Sequence, residues 1–372
     1  MRVHLALLAA LLLLGCPTDP DDDDSATSPP EFDSDVTNAL GSALEDAIGD
    51  LPAPGCTIGL ARGDGATWRG SAGLDAPVAE GGELLVPLAP FGLASVSKTY
   101  TAGLVLVLVD DGTLTLADTL EEHMPGVHPR GADITVEMLL RHRSGIPRAL
   151  STPEALAEPQ RAWTEDELFA LVADDALLFE PDTDRGYSNT NYMLLARIAQ
   201  AATGTPWRQL MEDRLFEPLG LDGTRVPALG ADWGDVTPTW YGDSPFTGQT
   251  HPQAIGAAGN LVAHAEDVAR WGQARFGGAL LSDELTEQQG EGEVIFAIVS
   301  NGLGAIVIDA GEESMEIGHD GALNGFATWV GHRPHLDTTM ALLCNAWGAG
   351  NPPDFNYPLF LVQETLWPLL EE

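Results

Sequence analysis

Basic residues are scarce in this chain. Its 372 residues include 17 Lys and Arg against 56 Asp and Glu, so the formal net charge is -39 at pH 7. Because such a surface repels the phosphates of nucleic acids, we expect no nucleic-acid partner. Hydrophobic residues still make up 44% of the sequence, which favours a globular body with a large core over a disordered acidic chain.

Long apolar runs are absent except at the start of the chain. Leu5–Leu14 consists of ten Leu and Ala residues, a length that suits a signal-peptide core and is too short for the roughly 20 residues of a membrane-spanning helix. The following Gly15-Cys16 completes a pattern that resembles the bacterial lipobox, in which the cysteine becomes the acylated first residue. The alternative is an ordinary cleaved signal peptide with a chance cysteine.

The segment after the apolar run is rich in Asp, Pro, Ser and Thr and includes Asp21–Asp24. We therefore expect residues 1–15 to be a lipoprotein signal peptide, residues 16–35 to be a solvated acidic tether, and acylated Cys16 to hold the protein on a lipid bilayer. Pro17 in place of Asp implies, by resemblance, transfer to the outer membrane. The expected location is the bacterial cell envelope, outside the cytoplasm.

Cysteines are also few. If Cys16 is acylated, only Cys56 and Cys344 remain, each in an apolar, strand-like run. In an oxidising compartment the two cysteines could form a disulfide, and two buried free thiols are the alternative. The sequence contains no CxxC motif, no HExxH motif and no Cys/His cluster, so we expect neither a metal site nor a cofactor.

Strand-like runs lie near both ends of the chain, and helical patterns fill the middle. Residues 56–72 read as a hairpin around Gly63-Asp64-Gly65, and a buried central helix is predicted from Ser95 to about Val109. A single strand is predicted at Val294–Val299 and a last helix at about Phe355–Leu370. These patterns predict an α/β fold whose antiparallel sheet is built from both termini, with an inserted, mostly helical lobe. The expected boundaries are 36–90 with 290–372 for the α/β lobe and 91–289 for the helical lobe.

Lys98 is the only lysine in the chain, because every other basic residue is Arg. Arg cannot lose its proton in a protein, whereas a buried Lys can do so near neutral pH and act as a general base. Lys98 follows Ser95 by three residues, which places the amine and the hydroxyl on one helix face. A chance Ser-x-x-Lys is the alternative, since Ser is common.

Two further motifs follow in order. Tyr187-Ser188-Asn189 precedes a predicted helix, and His319-Asp320-Gly321 lies between two strand-like runs. Together with Ser-x-x-Lys they resemble the serine β-lactamase and penicillin-binding-protein superfamily, on the branch of class C β-lactamases, D,D-carboxypeptidases, D-aminopeptidases and esterases. Further segments match landmarks of that superfamily, namely residues 91–99, 139–147, 215–221, 258–261 and 266–270.

The resemblance implies a β-lactamase/transpeptidase-like fold and a set of site residues. Ser95 would be the nucleophile, Lys98 the base that takes its proton, and Tyr187 a proton shuttle whose hydroxyl pKa a neighbouring ammonium lowers. Asn189 would hold Lys98 and the amide of the substrate by hydrogen bonds. His319 would supply polarity beside Tyr187 and would form a substrate-binding motif with Gly321. The backbone N–H groups of Ser95 and Ala322 would form the oxyanion hole.

Each of these assignments has a simpler alternative. Tyr187 could be a capping aromatic, Asn189 the N-cap of a helix that begins at Thr190, and His319 a histidine buried in a strand. Three other histidines are expected to have no catalytic role: His142, His332 and His335. The absence of a Gly-x-Ser-x-Gly motif argues against an α/β-hydrolase.

The substrate expectation comes from a departure from the superfamily pattern. β-Lactamases of this branch usually have Lys-Thr-Gly, which receives the antibiotic carboxylate, whereas this chain has His319 and the acidic Asp320. Hydrolysis of antibiotics as the main role is therefore disfavoured unless Arg side chains supply the countercharge. We expect a small-molecule or peptide acyl substrate, an ester or an amide of the D-peptide type. A β-lactamase proper and a non-catalytic penicillin-binding-like receptor are the alternatives, although a receptor would not require the lone lysine.

Overall fold

The computed structural model describes residues 30–49, 55–241, 244–345 and 362–371. The expected signal peptide, Cys16 and the acidic tether up to residue 29 lie outside the described residues, as do residues 355–361 of the expected last helix. No helix of the described ranges is long and apolar enough to cross a membrane.

One antiparallel sheet of eight strands dominates the described structure. Its strand order is β2-β1-β12-β11-β10-β9-β8-β7, so two strands from the N-terminal side pair with six from the C-terminal side. The strands of the described residues are β1 (Gly55–Arg62), β2 (Thr67–Gly73), β3 (Phe91–Gly92), β4 (Trp240–Tyr241), β5 (Ser244–Pro245), β6 (Val262–Ala263), β7 (Glu293–Phe296), β8 (Val299–Asn301), β9 (Ile306–Asp309), β10 (Met315–Leu323), β11 (Phe326–Arg333) and β12 (Thr338–Cys344). The predicted fold class is confirmed.

The helices lie mainly between β3 and β7. Those of the described residues are α1 (Ser34–Gly49), α2 (Ser97–Asp110), α3 (Leu120–His123), α4 (Val136–Leu140), α5 (Pro153–Ala157), α6 (Glu165–Val172), α7 (Asn189–Thr203), α8 (Trp207–Met211), α9 (Glu217–Leu219), α10 (Pro252–Ile255), α11 (Ala265–Phe276), α12 (Asp283–Gly290) and α13 (Pro368–Glu371). α2 is apolar on all faces and buried over most of its length, as expected for a central helix.

Helices cover the sheet on both faces. α1 contributes Leu40 and Leu44 to one core with Trp329 of β11, whereas α11 packs on the opposite face. Gly59 of β1 permits this second contact, because a Cβ at that position would lie 2.3 Å from the carbonyl oxygen of Ala265. α11 therefore packs on the sheet, although its residues fall within the predicted helical lobe.

Two strand predictions are wrong in detail. The apolar run at Val294–Val299 is not one strand: β7 and β8 pair antiparallel around Ala297, whose φ is +48°. His319 does not lie between strands but inside β10. Glycines on both sides of His319 conceal the strand in the sequence, because Gly is depleted in ordinary strands and here marks close backbone approach.

Cys56 and Cys344 form a disulfide. They lie opposite each other in the antiparallel pairing of β1 with β12, so the bond links an N-terminal strand of the sheet to its last strand. The question that the sequence left open is thus answered in favour of the disulfide.

We expect loss of this disulfide to destabilise the protein strongly. The bond closes a loop with a sequence separation of 288, and in the chain-entropy treatment a loop longer than 100 residues corresponds to roughly 5 kcal/mol. Urea unfolding of the Cys56→Ala/Cys344→Ala variant should show a free energy of unfolding lower by that order. Equal unfolding free energies for this variant and the oxidised protein would contradict the prediction.

Candidate active site

Ser95 lies in a 3₁₀ turn, Ala94–Val96, directly before α2 and not within the first turn of the helix. Ala94 has a φ of +48°, a left-handed conformation that a non-glycine residue adopts at an energetic cost and that is enriched at functional sites. The turn is held from two sides, because Leu93 N–H donates to the carbonyl of Leu261 at 2.8 Å and Thr328 Oγ1 donates to the carbonyl of Leu93 at 2.8 Å. The strained turn presents Ser95 at the N-terminal end of α2.

Lys98 is fully buried, and its amine lies against Ser95. Nζ is 3.0 Å from Ser95 Oγ and donates to the carbonyl oxygen of Ala258 at 2.6 Å. Burial lowers the pKa of Lys98 to about 7, opposed by the negative charge of Asp320 and assisted by the positive charge of Arg148. Near neutral pH a large fraction of Lys98 is therefore the free amine, which is the form that can take a proton from Ser95.

Tyr187 approaches the same hydroxyl. Its OH donates to Ser95 Oγ at 2.8 Å, and Lys98 Nζ lies 5.0 Å from the centre of its ring. The expectation of a lowered Tyr187 pKa is wrong, because burial raises the pKa of Tyr187 and outweighs the other contributions. Tyr187 is thus a neutral phenol, able to donate a proton at neutral pH.

His142 supports Tyr187. Its ring lies 4.4 Å from the Tyr187 ring, centre to centre, and its Nδ1 accepts the backbone N–H of Ser188 at 3.2 Å. Burial holds the pKa of His142 well below 6.5, so the ring is neutral and Nδ1 is free to accept. His142 thus contacts the ring of Tyr187 and the backbone beside it.

Asn189 begins α7, one residue earlier than the helix start predicted at Thr190. Within the described part of the chain its Oδ1 is buried and has no hydrogen-bond partner. The expected hydrogen bond to Lys98 is absent among the described residues, because the amine is turned to Ser95 and Ala258. Asn189 retains an acceptor for which a substrate N–H is a suitable donor.

His319 is buried, and its Nδ1 lies 2.5 Å from the carbonyl oxygen of Asp320. Burial lowers the pKa of His319 to about 4, and the charge of Lys98 contributes in the same direction. The imidazole is therefore neutral at pH 7, so the usual cation of this strand position is missing. No catalytic role was expected for two other histidines. His332 lies in β11, and His335 lies in a 3₁₀ turn after that strand.

Gly321 lets β10 reach the Ser95 turn. A Cβ at this position would lie 2.9 Å from the backbone nitrogen of Ser95 and 2.7 Å from the carbonyl oxygen of Leu93. The strand and the turn are thus in backbone contact, and Ala322 is the next residue along β10. This juxtaposition is what an oxyanion hole shared by Ser95 N–H and Ala322 N–H requires.

Sequence reasoning missed three contributors to the site. Ala258 was part of a matching segment, but nothing in its residue type indicated that its carbonyl accepts from Lys98. Arg148 donates from Nε to the carbonyl oxygen of Tyr187 at 2.5 Å, and its guanidinium lies 5.4 Å from the ring centre. Asp320 was noted for its charge, but its influence on the pKa of Lys98 depends on a distance that only the fold sets.

A family profile matches the region of the chain that contains these residues. The profile described as "Beta-lactamase" matches residues 44–361, which is most of the chain. The chain belongs to the beta-lactamase family. The prediction of a serine hydrolase related to β-lactamases is thereby confirmed.

Relatives within the beta-lactamase family are distant. Penicillin-binding protein 4 of Amycolatopsis lactamdurans is 29% identical over 287 residues, which cover 68% of this chain and 72% of the relative. The D-alanyl-D-alanine-carboxypeptidase/endopeptidase AmpH of Escherichia coli (strain K12) is 29% identical over 186 residues, 49% of this chain and 47% of the relative. The chain thus matches less than half the length of that carboxypeptidase.

Solved structures show the same fold. The crystal structure of a D-stereospecific amidohydrolase from Streptomyces sp. has a TM-score of 0.73 and 25% sequence identity, with 88% of this chain and 98% of that chain covered. The similarity therefore extends over both the sheet and the helices between β3 and β7, and this member of the beta-lactamase family has the complete fold of a solved amidohydrolase.

Proposed function

We propose that this protein hydrolyses an amide or ester of a D-configured acyl donor through an acyl-enzyme on Ser95. The observation that carries the proposal is the contact of one hydroxyl, Ser95 Oγ, with both a buried amine at 3.0 Å and a phenol at 2.8 Å. Acyl transfer needs one group that accepts the proton of the nucleophile and another that donates a proton to the leaving atom.

Acylation begins with proton transfer from Ser95 Oγ to the free amine of Lys98 as Oγ forms a bond to the substrate carbonyl carbon. Negative charge then develops on the carbonyl oxygen, where the N–H groups of Ser95 and Ala322 and the N-terminal end of α2 stabilise it. When the bond to the leaving group breaks, the leaving atom takes the hydroxyl proton of Tyr187. The Lys98 ammonium returns its proton to Tyr187, so both groups end neutral.

Deacylation repeats these steps with water. A water molecule attacks the acyl carbon and passes its proton to the Tyr187–Lys98 pair, and Ser95 Oγ leaves with a proton from the same pair. Burial serves both half-reactions, because it keeps Lys98 partly deprotonated and Tyr187 protonated at the same pH.

The D-configuration of the substrate is inferred from relatives. One relative is named for D-alanyl-D-alanine carboxypeptidase and endopeptidase activity, and a structural neighbour for D-stereospecific amide hydrolysis. The carboxypeptidase relative is only partly covered, and the geometry of Ser95, Lys98 and Tyr187 serves esters and amides equally. The choice between these two leaving groups therefore belongs to experiment.

Covalent labelling tests the proposal. A fluorophosphonate probe should label the wild-type protein and the Ser71→Ala variant, whose hydroxyl binds the carbonyl of Leu85 away from the site. Labelling should be lost in Ser95→Ala. Undiminished labelling of Ser95→Ala would refute the nucleophile, and a wild-type protein that neither takes up label nor hydrolyses nitrophenyl esters would favour a non-catalytic receptor.

A substrate panel tests the acyl donor. N-acetyl-D-Ala-D-Ala, D- and L-alanine p-nitroanilides and nitrocefin should be ranked by kcat/KM, with the D-compounds ahead of their L-counterparts and of nitrocefin. Preferential turnover of nitrocefin would instead support a β-lactamase proper.

We also propose that the protein is a lipoprotein of the bacterial cell envelope, anchored to the bilayer through Cys16. The support is the order of Leu5–Leu14, Gly15 and Cys16 followed by the acidic segment. Expression in a bacterial host with labelled palmitate should yield a labelled, membrane-bound protein, and Cys16→Ser should be unlabelled. Equal labelling of Cys16→Ser would contradict the anchor.

A further inference from the structure

Most arginines of the described chain pair with a carboxylate, as the excess of acidic residues leads one to expect. Five of the described arginines have no such ion pair: Arg148, Arg185, Arg208, Arg270 and Arg275. The last three bind backbone carbonyls, those of Pro227 for Arg208, of Leu219 and Gly220 for Arg270, and of Thr99 and Leu303 for Arg275. Arg148 also binds a backbone carbonyl, and Arg185 binds a side-chain amide, but the partner of Arg148 belongs to Tyr187 itself.

Both remaining arginines lie beside the Tyr187 segment. Arg148 donates through Nε to the carbonyl oxygen of Tyr187 at 2.5 Å, and its side chain is exposed. Arg185 is two residues before Tyr187 and donates to Asn301 Oδ1 at 3.1 Å. Its Nε is buried and has no hydrogen-bond partner among the described residues. In a chain of net charge -39, two arginines that form no ion pair within the described residues thus lie next to one residue of the site, Tyr187.

The β10 strand, which contacts the Ser95 turn at Gly321, has the reverse charge. β10 contributes His319, whose pKa is lowered to about 4 by burial, and Asp320, whose negative charge acts on both Lys98 and Tyr187. A substrate carboxylate is repelled at β10 and attracted at Arg148. Tyr187 connects the nucleophile to this cation, because its hydroxyl donates to Ser95 Oγ at 2.8 Å and the Arg148 guanidinium lies 5.4 Å from the centre of its ring.

We propose that Arg148 binds a carboxylate of the substrate, with Arg185 adding positive potential from behind Tyr187, so that the preferred substrate is an anionic D-configured peptide or amide. This inference rests on the proposed function. Nε of Arg148 is held by the Tyr187 carbonyl, and the side chain is exposed. A planar guanidinium binds a carboxylate through two parallel hydrogen bonds.

Two matched pairs of substrates test this proposal. N-acetyl-D-Ala-D-Ala and its C-terminal amide differ by a carboxylate on the leaving group, and N-succinyl-D-Ala and N-acetyl-D-Ala p-nitroanilides differ by a carboxylate on the acyl part. We expect the wild-type protein to prefer the anionic member of at least one pair by at least tenfold in kcat/KM. The pair that shows the preference identifies whether Arg148 binds a carboxylate on the leaving group or on the acyl part.

The ratio within a pair is the readout, because any loss of Tyr187 positioning affects both members alike. In Arg148→Gln the ratio should fall at least tenfold, mainly through KM of the anionic member, and Arg148→Lys should retain part of it. Arg214→Gln, which removes an exposed ion pair with Asp111, should leave the ratio unchanged. A wild-type ratio near one in both pairs, or an unchanged ratio in Arg148→Gln, overturns the inference. The proposed function is tested separately: it stands if turnover of neutral nitrophenyl esters depends on Ser95.

Discussion

Replacement of Lys98 by Arg is expected to lower kcat/KM for an activated ester by roughly 10³-fold or more, within the range of a lost general base. The guanidinium keeps a positive charge where the mechanism needs a free base, because it does not lose its proton in proteins. The guanidinium is also bulkier than the amine. It would have to fit in a fully buried position, where Lys98 Nζ donates to the carbonyl of Ala258 at 2.6 Å. Steady-state hydrolysis of p-nitrophenyl acetate measures the effect.

A second variant separates loss of chemistry from loss of fold. Lys98→Met removes the amine but fills the buried space with an unbranched chain, so we expect a native near-UV circular dichroism spectrum together with the same loss of activity. An active Lys98→Arg protein, within tenfold of the wild type, would show that Ser95 obtains its base elsewhere.

Tyr187→Phe is expected to reduce kcat by roughly 10²- to 10³-fold, the contribution typical of a positioned general acid. The substitution removes the hydroxyl that donates to Ser95 Oγ at 2.8 Å and keeps the ring against which His142 packs. Because the phenol is neutral and acts as a proton donor, the loss should be greatest for poor leaving groups and smallest for p-nitrophenolate, which leaves without a proton. Comparison of alkyl and nitrophenyl esters of one acid gives this dependence.

Tyr192→Phe is the matched control. Tyr192 is buried in the same region, and Lys98 Nζ lies 5.7 Å from its ring centre, but its hydroxyl donates to the carbonyl of Leu140 at 2.9 Å. This variant should lose about 1 kcal/mol of stability through the missing hydrogen bond and keep its activity within a few-fold. Equal activity losses in Tyr187→Phe and Tyr192→Phe would contradict the assigned role of Tyr187.

Local patterns predicted much of the fold and of the site. Apolar runs near both ends of the chain predicted strands that do pair in one sheet, and the apolar run after Ser95 predicted the buried central helix α2. Ser95 and Lys98 are three residues apart across the junction of a 3₁₀ turn and α2, and this spacing still brings their side chains together. Such features depend on neighbours in the sequence, so the sequence reveals them.

Properties that depend on distant contacts could not be predicted in this way. The direction of the Tyr187 pKa shift depends on burial, not on the nearby amine, and the turn within the apolar run around Ala297 carries no Gly or Pro signal. The acceptor for Lys98 is a backbone carbonyl 160 residues away in the chain, and any residue type supplies such a carbonyl. Arg148 likewise could not be assigned to the site from the sequence, because its contacts with the carbonyl and the ring of Tyr187 depend on the fold.

The pH dependence of kcat/KM for a neutral ester tests the central claim, that a partly deprotonated Lys98 activates Ser95. Lys98 has a pKa of about 7 and acts only as the free amine, so kcat/KM should rise tenfold per pH unit below about pH 7 and level off above it. His319, with a pKa of about 4, has already lost its proton over that range. In Asp320→Asn the midpoint should move to lower pH, because the removed charge raises the pKa of Lys98. A profile that is flat between about pH 5 and 9, or one that falls as the pH rises through 7, would contradict the account.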